Sequence, residues 1–291
     1  MAILHMNIPS EAMGRTVTLN AYVPAEALKE GEELKALYLL HGVQGSYINW
    51  AMSTNLSRIA ALHNMAVMES ASLEDSTENG AADPAKRAKR LAIFMPSAGN
   101  GFYHKIPNRD DPSWHEPFGH KHDYETFFGE ELPLKMQAMF PLSPLREDTA
   151  IAGLSMGGYG ALRTALLYPE RFSLAGGLSS ALMTRRSREE LDAAGFWANR
   201  DMRSLIFGDF EKARTDERED VESAILAKHA RGEKLPEIYL ACGSSDPLLP
   251  LSRNLSAALT AAGVPHTYEE HEGAHEWRFW EWGLTRLLTH L

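Results

Sequence analysis

One cysteine, Cys242, serves a chain of 291 residues, so no disulfide can form within it. The core must hold by packing alone. No apolar stretch approaches the roughly 18 residues that a membrane-spanning helix needs, which excludes such a span. The opening residues 1–6 are too short and lack the charged start of a secretory signal, so the cytoplasm is the expected compartment. Positive charge is also scarce. Lys and Arg number 29 against 39 Asp and Glu, a net charge of −10. An acidic chain repels a phosphate backbone unless it carries a segregated basic face. The basic cluster at residues 86–90 follows Glu74, Asp75 and Glu78 and reads as a solvated loop. Neither a nucleic-acid nor a membrane partner is therefore expected. Internal repeats and low-complexity runs are missing too.

What is there is enough apolar residue, 44% of the chain, for a real core. The length suits one large domain, or one domain with a cap. Residues 15–23 alternate with period two and stop at Pro24, as a half-exposed strand does. Residues 34–40 form an apolar run broken only by Lys35, as expected of a strand buried on both faces. Strands are also predicted at 91–95, closed by Pro96, and at 149–154, 172–178, 238–242 and 266–270. Helical segments fall between them at about 53–63, 124–139, 156–168, 252–262 and 276–290. The fourth stops at Gly263 with Pro265 beyond it. This alternation predicts an α/β fold, a mostly parallel sheet with helices on both faces. In such sheets the ligand site lies at the carboxyl ends of the strands.

Three segments break the rhythm. Residues 70–90 are polar and read as surface loop. Residues 97–123 are rich in His, Pro and aromatics. Residues 181–236 carry their own helix signals, a capping box from Ser187 to Glu190 and an amphipathic stretch at 221–230. The last two leave from strand ends beside the candidate site and read as lid-like insertions in a single domain, 1–291.

The candidate site begins at Gly153-Leu154-Ser155-Met156-Gly157, where a short apolar strand turns abruptly into a helix. Three fixed positions of a G-x-S-x-G pattern match by chance in roughly one chain in ten of this length, so context has to carry the reading. The context agrees. Ala161, Leu162, Ala165 and Leu166 keep helical spacing after the motif, and the run stops before Pro169. A serine on such a turn is exposed and strained, and only small residues fit two positions either side. Ser179, in Gly177-Leu-Ser-Ser-Ala181, lacks both the +2 glycine and an immediate helix.

A serine hydroxyl is a poor nucleophile without a base to take its proton, and the base needs an acid to hold its tautomer. On this kind of sheet the chain order is Ser, acid, His. Asp246 sits just past the tip of the 238–242 strand, whereas Asp201, Asp209, Asp216 and Asp220 lie in the long excursion. His275 lies in a loop before the last helix and is favoured over His271, which ends a strand. An oxyanion hole needs two backbone N–H groups. Met156 supplies one at a helix N-terminus. Val43, in the loop after the 34–40 strand, is expected to supply the other, with Gly42 next. The His41 side chain reads as structural. Phe102, Tyr103, Trp114 and Phe118 either line a substrate pocket or pack the lid onto the core. His104, His115, His120 and His122 lack metal-ligand spacing, so no metal is expected.

With these residues placed, the chain resembles the esterase D and mycolyltransferase branch of the α/β-hydrolases, and within it the tributyrin esterases most. The matching stretches are Tyr38-Leu-Leu-His-Gly42 with Trp50 behind it, Met95-Pro-Ser-Ala-Gly-Asn100, Gly119-His-Lys121, Glu130-Glu-Leu-Pro133, Gly153 to Gly160, Cys242-Gly243 with Asp246, and Gly273-Ala-His-Glu-Trp277. They run from about residue 36 to 280. The resemblance implies the α/β-hydrolase fold and a serine carboxylesterase of short acyl esters that uses no cofactor. Its triad would be Ser155, Asp246 and His275, with Val43 and Met156 at the oxyanion. Some relatives act on acetylated or feruloylated sugars, which makes an acetyl or feruloyl esterase the second expectation. Esterase D hydrolyses S-formylglutathione and usually has a Cys soon after the glycine of its oxyanion loop. Here the loop reads Val43-Gln-Gly-Ser-Tyr47, which counts against a thioester. The expected partner is a small-molecule ester. Several relatives assemble, so a homo-oligomer stays open as an expectation.

Overall fold

The computed structural model describes residues 2–75, 88–105, 122–182 and 218–291. Its strands are β1 (Ala2–Ser10), β2 (Arg15–Val23), β3 (Lys35–Leu40), β4 (Leu91–Pro96), β5 (Thr149–Leu154), β6 (Leu174–Leu178), β7 (Glu237–Gly243) and β8 (Thr267–His271). They form one sheet in the order β1-β2-β4-β3-β5-β6-β7-β8. The β1–β2 and β2–β4 pairs are antiparallel and the remaining pairs parallel. The helices are α1 (Ala25–Glu30), α2 (Asn49–Ser53), α3 (Leu56–Asp75), α4 (Tyr124–Thr126), α5 (Leu132–Met139), α6 (Met156–Leu167), α7 (Val221–Ala230), α8 (Leu249–Ala261) and α9 (Trp277–Leu287), with one wide π turn at Phe127–Glu131 before α5.

Every residue of β4 and of β5 is buried. Alternate side chains of each strand then feed opposite faces of the sheet. Tyr38 and Leu40 of β3 join Ile151, Met156 and the apolar sides of α5, α6, α7 and α8. Leu37 and Leu39 join Ala150, Ala152, Leu154 and the apolar sides of α3 and α9. No helix among the described residues is long and apolar enough to cross a membrane.

Three sequence expectations change. The basic cluster is not wholly solvated, since Lys89 is buried against Asp148 at 2.6 Å. The strand at 15–23 is preceded by one the sequence reading did not place: β1 is an edge strand, in register from Ala2 opposite Val23 to Ser10 opposite Arg15. An edge strand is paired on one side only, so His5, Asn7 and Pro9 are tolerated there and dilute its apolar signal. Residues 70–90 are not all loop either. Helix α3 continues to Asp75, because Ser70, Ala71 and Glu69 sit on a solvated face where polarity does not oppose a helix. The capping box at Ser187 lies outside the described residues; the stretch at 221–230 is α7, capped by the Asp220 carboxylate accepting from the Ser223 amide at 2.9 Å.

The chain leaves β3 toward β4 on one side, then crosses back to β5 on the other. That reversal is a topological switch point, where open sheets of this kind hold their ligands. The register sets Leu40 opposite Gly153, so the loop after β3 and the turn after β5 emerge side by side.

Candidate active site

Ser155 follows β5 directly, with φ 53° and ψ −119°. A non-glycine residue there is strained and persists only where its surroundings over-determine it. They do. The Ser155 amide donates to Leu178 O at 2.8 Å, and its carbonyl accepts from Gly158, Tyr159 and Ala181 at 3.1, 3.2 and 3.0 Å. Ser155 is the N-cap residue of α6, yet its hydroxyl makes no capping bond. A serine in this position ordinarily caps the helix; the left-handed φ turns the side chain away and leaves the hydroxyl free.

The flanking glycines are sterically required. A Cβ on Gly153 would lie 2.5 Å from the Gly157 backbone. A Cβ on Gly157 would lie 2.6 Å from His41 O and 2.7 Å from Leu40 O. Backbone meets backbone at both points, and neither can yield.

Asp246 follows β7, and its side chain is fully buried. One carboxylate oxygen accepts from the Leu248 amide at 2.8 Å. The other faces His275 Nδ1 at 2.9 Å. Burial would raise the Asp246 pKa, but the His275, Ser179 and Leu248 donors outweigh it and hold the carboxyl below its ordinary value. An ionised Asp246 makes His275 Nδ1 the donor, which leaves Nε2 as the basic nitrogen. The two loops are locked together: Ser245 N–H donates to Gly273 O at 2.8 Å, and a Cβ on Gly243 would meet that same oxygen at 2.5 Å. The Trp280 ring stands perpendicular to the imidazole at 4.9 Å and fixes its tilt. Among the described residues no hydrogen bond joins Ser155 to His275; in unliganded sites such bonds are often long and close only with substrate.

The loop after β3 carries Val43. The His41 ring is buried and spans the loop: Nδ1 donates to Gly42 O at 2.7 Å, and Nε2 accepts from the Ala98 amide at 2.9 Å. Accepting at Nε2 requires a neutral ring, and burial pushes its pKa down, which favours that form. Asn100 accepts from the Gln44 amide at 2.7 Å. Among the described residues the Val43 and Met156 amides have no protein acceptor. Gly42 presses on the nucleophile turn, since a Cβ there would lie 2.7 Å from Leu154 Cδ1 and 3.4 Å from Ser155 Cβ. The Met156 amide opens a twelve-residue helix whose dipole favours negative charge, and the loop that carries Val43 meets the Ser155 turn at Gly42.

The structure brings Asp246 and His275 into contact and sets Gly42 against Ser155. It leaves His271 aside, stacked on Trp282 at 4.3 Å. Phe102 and Tyr103 sit in the core at 2% and 0% exposure and face α6: the Phe102 ring lies 6.4 Å from that of Tyr159, and the Tyr103 ring rests against Gly160. Trp114 and Phe118 lie outside the described residues, as do His115 and His120. His104 is held by Glu219 at 2.7 Å and by Tyr159 at 3.0 Å. Sequence reasoning quoted Ala98 and Asn100 within the 95–100 stretch but gave them no role, and it missed Trp280. Ala98 acts through its backbone, and nothing in the sequence shows which contact Asn100 or Trp280 makes.

The family described as "Putative esterase" matches residues 10–291. An acetyl esterase of Caldicellulosiruptor saccharolyticus is 31% identical over 288 residues, 96% of this chain and 94% of that protein. The diacylglycerol acyltransferase/mycolyltransferase Ag85C of Mycobacterium avium is 27% identical over 184 residues, 62% of this chain and 42% of that protein. Among solved structures, the fluorophosphonate-binding serine hydrolase F of Staphylococcus aureus superposes with a TM-score of 0.77 at 23% identity, covering 99% of this chain and 97% of that one. At that identity the likeness speaks for the fold.

Proposed function

This chain belongs to the esterase family, and we propose that Ser155, His275 and Asp246 make it a serine carboxylesterase of short acyl esters. Ser155 Oγ attacks the ester carbonyl while His275 Nε2 takes its proton. The Val43 and Met156 amides receive the oxyanion. Asp246 holds the imidazole in its tautomer and stabilises the imidazolium that forms. His275 then passes the proton to the departing alkoxide, which leaves as the alcohol. Water enters, gives its proton to Nε2 and attacks the acyl-serine. Collapse releases the acid and returns the proton to Oγ. No cofactor enters this sequence.

The observation that carries the reading is the strained Ser155 at the head of α6, its hydroxyl out of the cap, with the loop after β3 set against it at Gly42. The His275–Asp246 bond at 2.9 Å supports it. The likeness to an acetyl esterase favours acetate as the acyl group, with an acylated sugar as one class of natural ester. The preference for short chains that marks the tributyrin esterases belongs to the same proposal.

Hydrolysis of p-nitrophenyl esters from acetate to decanoate tests it, with Ser155→Ala alongside. Serine-dependent turnover highest from acetate to butyrate is the expected result. A flat profile, or a peak at decanoate, overturns the short-chain assignment. Activity surviving in Ser155→Ala overturns the nucleophile.

A further inference from the structure

We infer that Tyr103 is a positioning residue of this site, a strut that fixes the spacing between the Val43 and Met156 amides. The inference rests on the reading of those amides as the oxyanion donors.

Tyr103 has φ 61°, and Phe102 before it has φ 49°. Two consecutive side-chain-bearing residues in the left-handed region are uncommon, and the strain needs a reason. Tyr103 is fully buried, and its phenol donates to His41 O at 2.8 Å. That carbonyl shares its peptide with the Gly42 amide. The next peptide is held as well: Gly42 O accepts from His41 Nδ1 at 2.7 Å and from the Gly45 amide at 3.1 Å. In a trans peptide the C=O and N–H point in opposite directions, so fixing a carbonyl aims the amide behind it. The bonds to Gly42 O therefore aim the Val43 N–H directly, and the Tyr103 bond to His41 O fixes the peptide before it, the base on which that turn of the loop stands.

The ring does the complementary work. A Cβ on Gly160 would lie 2.3 Å from Tyr103 Cδ2, so the ring rests directly on the backbone of α6. Gly160 is about one helical turn beyond Met156. Phe128 closes the other side, edge to face at 4.9 Å. One side chain thus touches the helix that carries one donor and the loop that carries the other. Its hydroxyl holds the loop, and its ring sets the distance.

Tyr103→Phe keeps the ring and removes the hydrogen bond. The expected result with p-nitrophenyl acetate is a kcat about tenfold lower with KM within about twofold, because misaimed donors act on the transition state and not on bound ester. Inhibition by an aryl trifluoromethyl ketone, which forms a tetrahedral oxyanion adduct, is expected to weaken in parallel. Gly160→Ala disturbs the same strut from the helix side and is expected to lower kcat in the same manner. Unchanged kcat and unchanged ketone affinity in a folded Tyr103→Phe, whatever its Tm, would leave Tyr103 a packing residue and overturn the inference. Ser155→Ala separates the two levels. If it stays active, the catalytic reading falls and this one with it. If it is dead while Tyr103→Phe keeps full kcat, only the strut falls.

Discussion

Ser155 and Ser179 stand at the tips of neighbouring parallel strands, β5 and β6, with φ of 53° and 46°. Each sends its amide to the next strand over, Ser155 to Leu178 O and Ser179 to Ala241 O, both at 2.8 Å. Beyond that they part. Ser155 is followed at once by α6, and glycines two residues away on both sides let backbone close around it. Ser179 has Gly177 before it but Ala181 after it, and residues 180–182 are not helical. Its hydroxyl is sealed from solvent and makes no well-formed hydrogen bond, although its nearness helps hold the Asp246 carboxyl low. On the proposed reading, strain alone does not make a nucleophile. Clearance on both sides and a helix start, with its unpaired amides, are what separate the two serines.

The largest test of that contrast is Ser155→Ala, expected to lower kcat by about 10⁴-fold or more. Asp246→Asn follows, at about 10³- to 10⁴-fold in kcat, since the amide favours the wrong His275 tautomer. Gly157→Ala attacks the clearance itself. Its new methyl meets two backbone carbonyls, so a loss of about 1–3 kcal/mol is expected in denaturant unfolding, with activity lost even in the folded fraction.

A smaller effect sharpens the contrast by probing how α6 is seated. Arg163 on this helix pairs with Glu125 at 2.9 Å and with Glu219 at 3.0 Å. Burial would raise the Glu219 pKa, but His104 and Arg163 prevail and hold it at about 2, against an ordinary 4.5. A depressed carboxyl stabilises the fold above its unfolded value and loses that contribution as pH falls through its folded value. Stability is thus expected to drop between about pH 4.5 and 2, and Glu219→Gln to flatten that drop in unfolding titrations. Smallest of all is Ser179→Ala, expected to keep kcat within about threefold, because its hydroxyl makes no well-formed hydrogen bond and His275 and Leu248 still hold Asp246. A loss comparable to that of Asp246→Asn would break the comparison.

Much of this was legible in the sequence, and for identifiable reasons. The strands that became β3, β4 and β5 are buried on both faces, so their apolar runs are interrupted only at the first residues of β3 and β5, Lys35 and Thr149. Chain order isolates Asp246 and His275 among many acids and histidines. The edge strand β1 escaped because one-sided pairing leaves it half polar. The extension of α3 to Asp75 escaped because an exposed helical face looks like a loop in composition. Tyr103 was read with pocket aromatics because sequence reports a ring but not its direction. Only the coordinates show its hydroxyl on His41 O, and only they show Trp280 standing beside His275.

The contact in which Gly153, Gly157, Leu40 and His41 meet is backbone but for the Leu40 Cβ, an atom every residue except glycine carries. Such a joint cannot be tuned by choosing a different residue, so the ends of β3 and β5 travel as one indivisible part. A designer grafting this centre onto another scaffold would have to transplant both ends together. Selection for new substrates would find its tolerated changes in side chains that face outward from the part, with exposed Val43 and Gln44 the first to vary.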